Sequence, residues 1–378
     1  MDYETLKLVW WLLVGVLLVG FAVMDGHDMG VGTLLPFVGR NDLERRAVIN
    51  TVAPHWEGNQ VWFVTAGGAL FAAWPLVYAT AFSGLYWAMM AALWALFFRP
   101  VGFTYRSKIH DPRWRSTWDW GLFIGGAVPP LIFGIAFGNL LLGLPFHFND
   151  LMMSTYTGSF WALLNPFALL AGVVSLGMLV FQGANYLMMR TEGDIYRRAR
   201  IASLLAGALT FVAFALAGLW VATGIDGYVI TSVIDGNAQP DPLNKTVIAA
   251  AGAWMQNYSR YPWAVWVPVA AFAALGAGVA FAQMKRAGLA FWSSSVACAG
   301  IIGTVGVSMF PFIMPSSTDP RSSLTAYDAV SSPLTLAVML GATVVFLPLI
   351  AVYTAWAYKV MWGKVTTEFI SANDKSVY

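Results

Sequence analysis

The chain has 378 residues, 58% of them hydrophobic and 11% charged, with a net charge of +2. Its mean hydropathy is +0.66. A soluble domain carries about 25% charged residues, so the composition excludes an ordinary soluble fold and points to an integral membrane protein. A lone cysteine, Cys298, excludes an intrachain disulfide and argues against a cysteine-based metal centre. No basic patch interleaved with aromatics suggests nucleic acid.

A helix needs about 20 apolar residues to cross the hydrocarbon. That rule predicts an all-α protein of nine spans, in one polytopic domain: 8–36, 51–74, 77–98, 118–142, 160–188, 201–224, 262–283, 289–312 and 334–361. The first apolar run lacks a basic leader and an A-x-A site, so it is read as a retained helix. Asp25, Gly26, His27 and Asp28 are expected to interrupt it. The second span is expected to open at Asn50 or Thr51 with Pro54 in its first turn, and the third to close at Arg99 before Pro100. Gly26 with Gly30 and Gly134 with Gly138 form GxxxG pairs, and Gly67 and Gly68 thin the second span; all read as packing glycines. The connection 225–261 is polar with an apolar middle, TVIAAAGAWM, expected to form a short surface helix. The turn-rich loop PSSTDPRSSLTAYD carries no chemical signature.

Charge placement orients the chain. The loops after spans 1, 3, 5 and 7, with the C-terminal end, hold 17 Lys and Arg residues: Arg40, Arg45, Arg46, Arg99, Arg106, Lys108, Arg113, Arg115, Arg190, Arg197, Arg198, Arg200, Lys285, Arg286, Lys359, Lys364 and Lys375. The other side holds four: Lys7, Lys245, Arg260 and Arg321. The positive-inside rule then predicts an N-terminus outside the cytoplasm and a C-terminus inside it.

The chemistry concentrates in Thr51–Trp74 of the second span, TVAPHWEGNQVWFVTAGGALFAAW, whose first third carries His55, Glu57, Asn59 and Gln60. Ionisable groups at membrane depth are expensive and mark function by default. His55, Asn59 and Trp62 follow i, i+4, i+7 and share a face. Glu57 is expected about 9 Å along the helix, the deepest carboxylate of a cluster with Asp25, Asp28 and Arg99, and suited to relaying protons. A structural ion pair of Arg99 with Asp25 or Asp28 is the plainer reading for those three residues. Transmembrane b haems use facing histidines, and His27 and His55 are the only candidates. A histidine bonded to a neighbouring helix is the better reading of either. No nucleophile–base arrangement, phosphate loop or metal motif stands out. The residues alone leave open a proton-coupled carrier or a subunit of a redox complex.

Several stretches resemble one family: WWLLVGVLLVGFAVMDGHDMGVG at 10–32, RNDLERRAVINTVAPHWEGNQVWFVTAGGALFAAWP at 40–75 and FFRPVGFTYRSKI at 97–109. They continue with PPLIFGIAFGNLLLG at 129–143, DPLNK at 241–245, GAWM at 252–255 and MFPFIMPSS at 309–317. Together they resemble subunit II of the cytochrome bd quinol oxidases across essentially the whole chain. The resemblance implies a non-haem-ligating subunit of a complex that oxidises ubiquinol or menaquinol and reduces dioxygen to water, generating proton-motive force. It implies two four-helix bundles plus one peripheral helix, and a heterodimer with a subunit I that bears haems b and d. Small single-helix subunits, surrounding lipid and a bound quinone within subunit II are further implications, with no activity for the chain alone.

Carried over residue by residue, the resemblance gives Glu57 a proton-path role, at a position where the family commonly has Asp. It sets Trp62 at the subunit interface beside the oxygen route, and Asp25, Asp28, His55 and Arg99 in a structural polar cluster. His27 departs from the expected aromatic, which argues against its ligating haem. Two rival readings are a proton-coupled secondary transporter and a haem-bearing subunit ligated through His55.

Overall fold

The computed structural model describes residues 1–373 and 377–378, so Lys375 of the charge pattern lies outside the described residues. In chain order the helices are α1 (Tyr3–Val38), α2 (Asp42–Asn50), α3 (Trp56–Ala73), α4 (Pro75–Gly84), α5 (Tyr86–Leu96), α6 (Phe98–Tyr105) and α7 (Pro112–Leu142). They continue as α8 (Pro166–Arg190), α9 (Gly193–Gly224), α10 (Gln256–Arg260), α11 (Trp266–Gln283), α12 (Ala287–Met309), α13 (Pro333–Val360) and α14 (Thr367–Ala372). Among the described residues, eight helical segments are long and apolar enough to cross a membrane, or nine if the bent pair α3 and α4 counts as one span. Three antiparallel hairpins join the spans: β1 (Phe146–Phe148) with β2 (Ser154–Tyr156), β3 (Asp226–Ile230) with β4 (Val247–Ala251), and β5 (Phe312–Met314) with β6 (Leu324–Thr325).

Four local expectations are corrected. First, α1 runs unbroken through Asp25–Asp28; its carboxylates find partners on other helices, so the backbone need not open to hydrate them. Second, α3 starts at Trp56, not at Asn50 or Thr51. The Thr51 hydroxyl donates to the Val48 carbonyl and the Ala53 N–H to that of Ile49, so residues 51–53 finish α2. Third, α3 stops at Trp74–Pro75, where α4 leaves at a bend of 118°, and the next span runs Tyr86–Lys108. Arg99 therefore lies inside a span, with Pro100 in the first turn of α6, where a missing N–H costs nothing. Fourth, TVIAAAGAWM forms β4 and a turn rather than a surface helix. Trp254 anchors it, fully buried against Tyr228 and Phe312, its indole N–H donating to the Leu141 carbonyl at 2.9 Å.

Glycines set the closest helix crossings. A methyl group at Gly30 would collide with the Leu179 carbonyl of α8, and one at Gly183 would sit 2.6 Å from the Gly30 backbone. On the other side of α1, a methyl at Gly126 of α7 would lie 2.5 Å from the Met29 carbonyl oxygen. The second half of α1 is thus held backbone to backbone between α7 and α8. Gly134 and Gly138 press on α8 in the same way, whereas Gly67 and Gly68 face open space.

The basic loops are built into the fold. Asp119 of α7 receives Arg45 at 2.7 Å and Arg106 at 2.6 Å, and Arg106 also donates to Asp42 at 3.0 Å. Arg115 closes the group on Asp42. Asn41 caps α2 by accepting the Glu44 N–H at 2.9 Å, and Glu44 accepts two bonds of 2.8 Å from Arg198 of α9. These bonds hold the Glu44 carboxyl below its ordinary range. At the hairpin end, Lys7 donates to the Tyr327 carbonyl at 2.9 Å and Lys245 pairs with Asp328 at 2.8 Å.

Candidate functional site

Three helices bring the polar cluster together. Asp25, His27 and Asp28 lie on one turn of α1, His55 and Asn59 at the start of α3, and Arg99 on α6. All are buried. Arg99 grips Asp25 through both carboxylate oxygens, at 3.1 and 2.5 Å, so of the two acids Asp25 is the one paired with it. The Trp56 ring lies 5.6 Å from the guanidinium.

Asp28 is held differently. Its Oδ2 accepts from Asn59 Nδ2 at 2.8 Å, while its Oδ1 lies 3.2 Å from His27 Nε2. His27 Nδ1 lies 2.9 Å from the Val23 carbonyl, which can only accept, so Nδ1 carries a proton. Tyr186 of α8 donates to the Thr51 carbonyl at 3.1 Å, so its oxygen accepts from His55 Nε2 at 2.9 Å. His55 Nδ1 then accepts from Asn59 at 3.2 Å. Tyr358, near the end of α13, donates to Asn59 Oδ1 at 2.9 Å and lies 3.4 Å from both His27 Nε2 and His55 Nδ1.

Glu57 is corrected in place. Expected as the deepest carboxylate, it is exposed in the first turn of α3, while Asp25 and Asp28 are 0% and 1% exposed. The later start of α3 is the reason: it sets Glu57 in the first turn, on an exposed face of the helix. It heads a stripe continued by Val61, Val64, Gly68 and Phe71, all exposed. Trp62, on the opposite side, packs its indole over Gly20 of α1.

Tyr186 and Tyr358 were missed by sequence reasoning. Each is a polar ring near a span end at the depth of the cluster, which is the signal that would have found them. Also missed is the Gln182–Ser294–Ser295 triad joining α8 to α12, with bonds of 2.5 and 2.8 Å.

The ring centroids of His27 and His55 are 6.0 Å apart and inclined by 61°, and Asn59, Tyr186 and Tyr358 pack around them. A large cavity lies elsewhere, between α1, α7, α8, α9, α11 and α12. It measures about 520 Å³ and is lined by Phe21, Phe133, Phe167 and Phe272, with the hydrogen-bonded pair Tyr258 and Ser308 among its few polar groups and no histidine.

The family model described as cytochrome bd terminal oxidase subunit II matches residues 6–361. The chain belongs to that family. This subunit II is 57% identical, over the full length of both chains, to "Cytochrome bd-I ubiquinol oxidase subunit 2" of Escherichia coli strain K12. It is 54% identical, also end to end, to "Probable cytochrome oxidase subunit 2" of Haemophilus influenzae. Identity to "Cytochrome bd ubiquinol oxidase subunit 2" of Bacillus subtilis is 32%, covering 95% of this chain and 96% of the relative. Among solved structures, a chain of the bd oxidase from Geobacillus thermodenitrificans superposes with a TM-score of 0.63 at 16% identity, covering 95% of this chain and all of that one. The fold is therefore that of a bd oxidase chain, part of a membrane-embedded oxidoreductase complex with a subunit I and haem.

Proposed function

We propose that this subunit II ligates no haem and serves a haem-bearing subunit I, supplying a proton path and the fitted wall between the two subunits. The complex is a terminal oxidase that passes electrons from quinol to dioxygen. The observation that carries the proposal is the exposed face of α3. Glu57 heads a stripe of Val61, Val64, Gly68 and Phe71 that is left exposed by the described residues. A carboxylate ahead of an apolar surface suits a protein partner better than lipid, and Gly58 and Gly68, open to neighbours, let a second backbone approach.

In this reading Glu57 passes protons from the cytoplasmic side toward the oxygen-reducing haem of subunit I. Trp62 borders the oxygen route, and Asp25, Arg99, Asp28 and His55 hold the wall in shape. The N-terminus is periplasmic, because the basic loops gather at the end opposite the hairpins. The membrane is the bacterial inner membrane, and the helices sort into two four-helix bundles with one peripheral helix. Helix α13 fits that last place, since only 6% of its apolar window is buried. The cavity of about 520 Å³ suits an isoprenoid tail, its Tyr258–Ser308 pair offering polar contact to a quinone head. Small single-helix subunits have room along α13.

Visible spectra of the purified complex and of this chain alone test the assignment. All haem absorbance is expected to follow subunit I. A b-type haem band from the isolated chain, abolished by His55→Leu, would overturn it. Recovery of the chain as a colourless, partner-free carrier would favour the transporter reading.

A further inference from the structure

We propose that His27, Asp28 and His55 form a binding site for a divalent transition-metal ion of the zinc class. The argument is hydrogen-bond accounting. His27 Nδ1 spends its proton on the Val23 carbonyl and His55 Nε2 spends its own on Tyr186. Each neutral imidazole therefore turns an unprotonated nitrogen inward, His27 Nε2 and His55 Nδ1; the latter accepts a long bond of 3.2 Å from Asn59, which a bound metal ion would displace. Asp28 Oδ1, itself buried, accepts no hydrogen bond and faces His27 Nε2 at 3.2 Å. Two acceptors at that distance repel unless a cation lies between them.

Tyr358 adds to the imbalance. Its proton goes to Asn59 Oδ1, so it turns oxygen lone pairs toward both histidines at 3.4 Å. One ligand atom from each of His27, Asp28 and His55 lies within 4.8 Å of the others. Two imidazole nitrogens and one carboxylate oxygen are a zinc-type donor set, with the Tyr358 oxygen or a water as fourth ligand, and they disfavour the oxygen-seeking magnesium and calcium ions. The outer contacts are those a metal histidine uses: a carbonyl behind His27 and a tyrosine oxygen behind His55 fix both tautomers. Asn59 orients the second carboxylate oxygen.

The test uses the intact purified oxidase complex, stripped with chelator, reloaded with zinc sulfate and dialysed before metal analysis. The wild-type complex is expected to hold one more zinc ion than the His27→Phe complex, whose phenyl ring fills the imidazole's place against Tyr186. Asp28→Asn and His55→Gln are expected to lose the same ion, so the test survives if one variant fails to assemble. X-ray absorption of the bound zinc should show two imidazoles at about 2.0 Å. Equal zinc in wild type and all assembled variants, or a bound zinc without imidazole ligands, would overturn the site. So would a wild-type complex that takes up no zinc, the result expected if a proton alone bridges His27 and Asp28.

Discussion

Arg99 on α6 and Asp25 on α1, 74 residues apart, form a two-pronged ion pair whose side chains are 2% and 0% exposed. Removing one partner of such a pair leaves an uncompensated buried charge, which costs about 3–5 kcal/mol. Arg99→Leu is therefore expected to reduce recovery of assembled complex sharply. Adding Asp25→Asn should restore much of it, because the stranded charge is then gone. The yield of the haem-containing complex and its thermal midpoint measure both effects, and equal losses in the single and double variants would show that the charge is not the cause.

Glu57→Gln keeps the size of the side chain and removes its proton chemistry. The complex is expected to assemble with normal haem content and to turn over quinol and oxygen at least tenfold more slowly, a barrier rise of about 1.4 kcal/mol. Oxygen uptake by the purified variant decides this; full turnover would leave Glu57 as an interface residue only.

Glu44 and Arg198 give a pH-dependent contribution of known sign. The folded carboxyl is held below its ordinary value of 4.5 by the Arg198 hydrogen bonds. Its stabilisation is therefore present above about that pH and fades as pH falls through the lower, folded value. Glu44→Gln should cost about 0.5 kcal/mol near neutrality, an amount typical of a pair partly open to water. Thermal midpoints of wild type and variant should converge at acid pH; a gap that widens there would contradict the assignment.

Gly30→Ala forces the backbones of α1 and α8 apart, an overpacking cost of about 1–3 kcal/mol. Gly276→Ala in α11, where a methyl group meets nothing, is the matched control and should be neutral or mildly stabilising. Melting of the two complexes under one detergent condition compares them directly.

Hydrophobic runs made most spans legible, since length and apolarity govern membrane crossing. Their interruptions were misread for one physical reason. Asp25 and Arg99 each look like a helix end when read locally, and only their pairing across 74 residues lets both stay helical. The site was legible in composition: Asp25, Asp28, His55 and Arg99 do converge. Its wiring was not, because Tyr186 and Tyr358 reach it from α8 and α13 by tertiary packing alone. The exposure of Glu57 turned on where α3 starts, and that was decided by residues 51–53 closing α2. His27, the residue that departs from the resemblance, gains its interest from the Asp28 oxygen beside it.

The clamping of α1 between α7 and α8 has a consequence for conduction. Where Gly30 meets Gly183 and Gly126 meets Met29, main chain touches main chain, and the seam is too tight for a file of water molecules. A hydrogen-bonded chain carrying protons past the buried cluster cannot run along those two seams. Glu57 stands on α3, which forms neither of those seams. The glycines act there as an insulating sleeve along two sides of α1, beside the buried cluster.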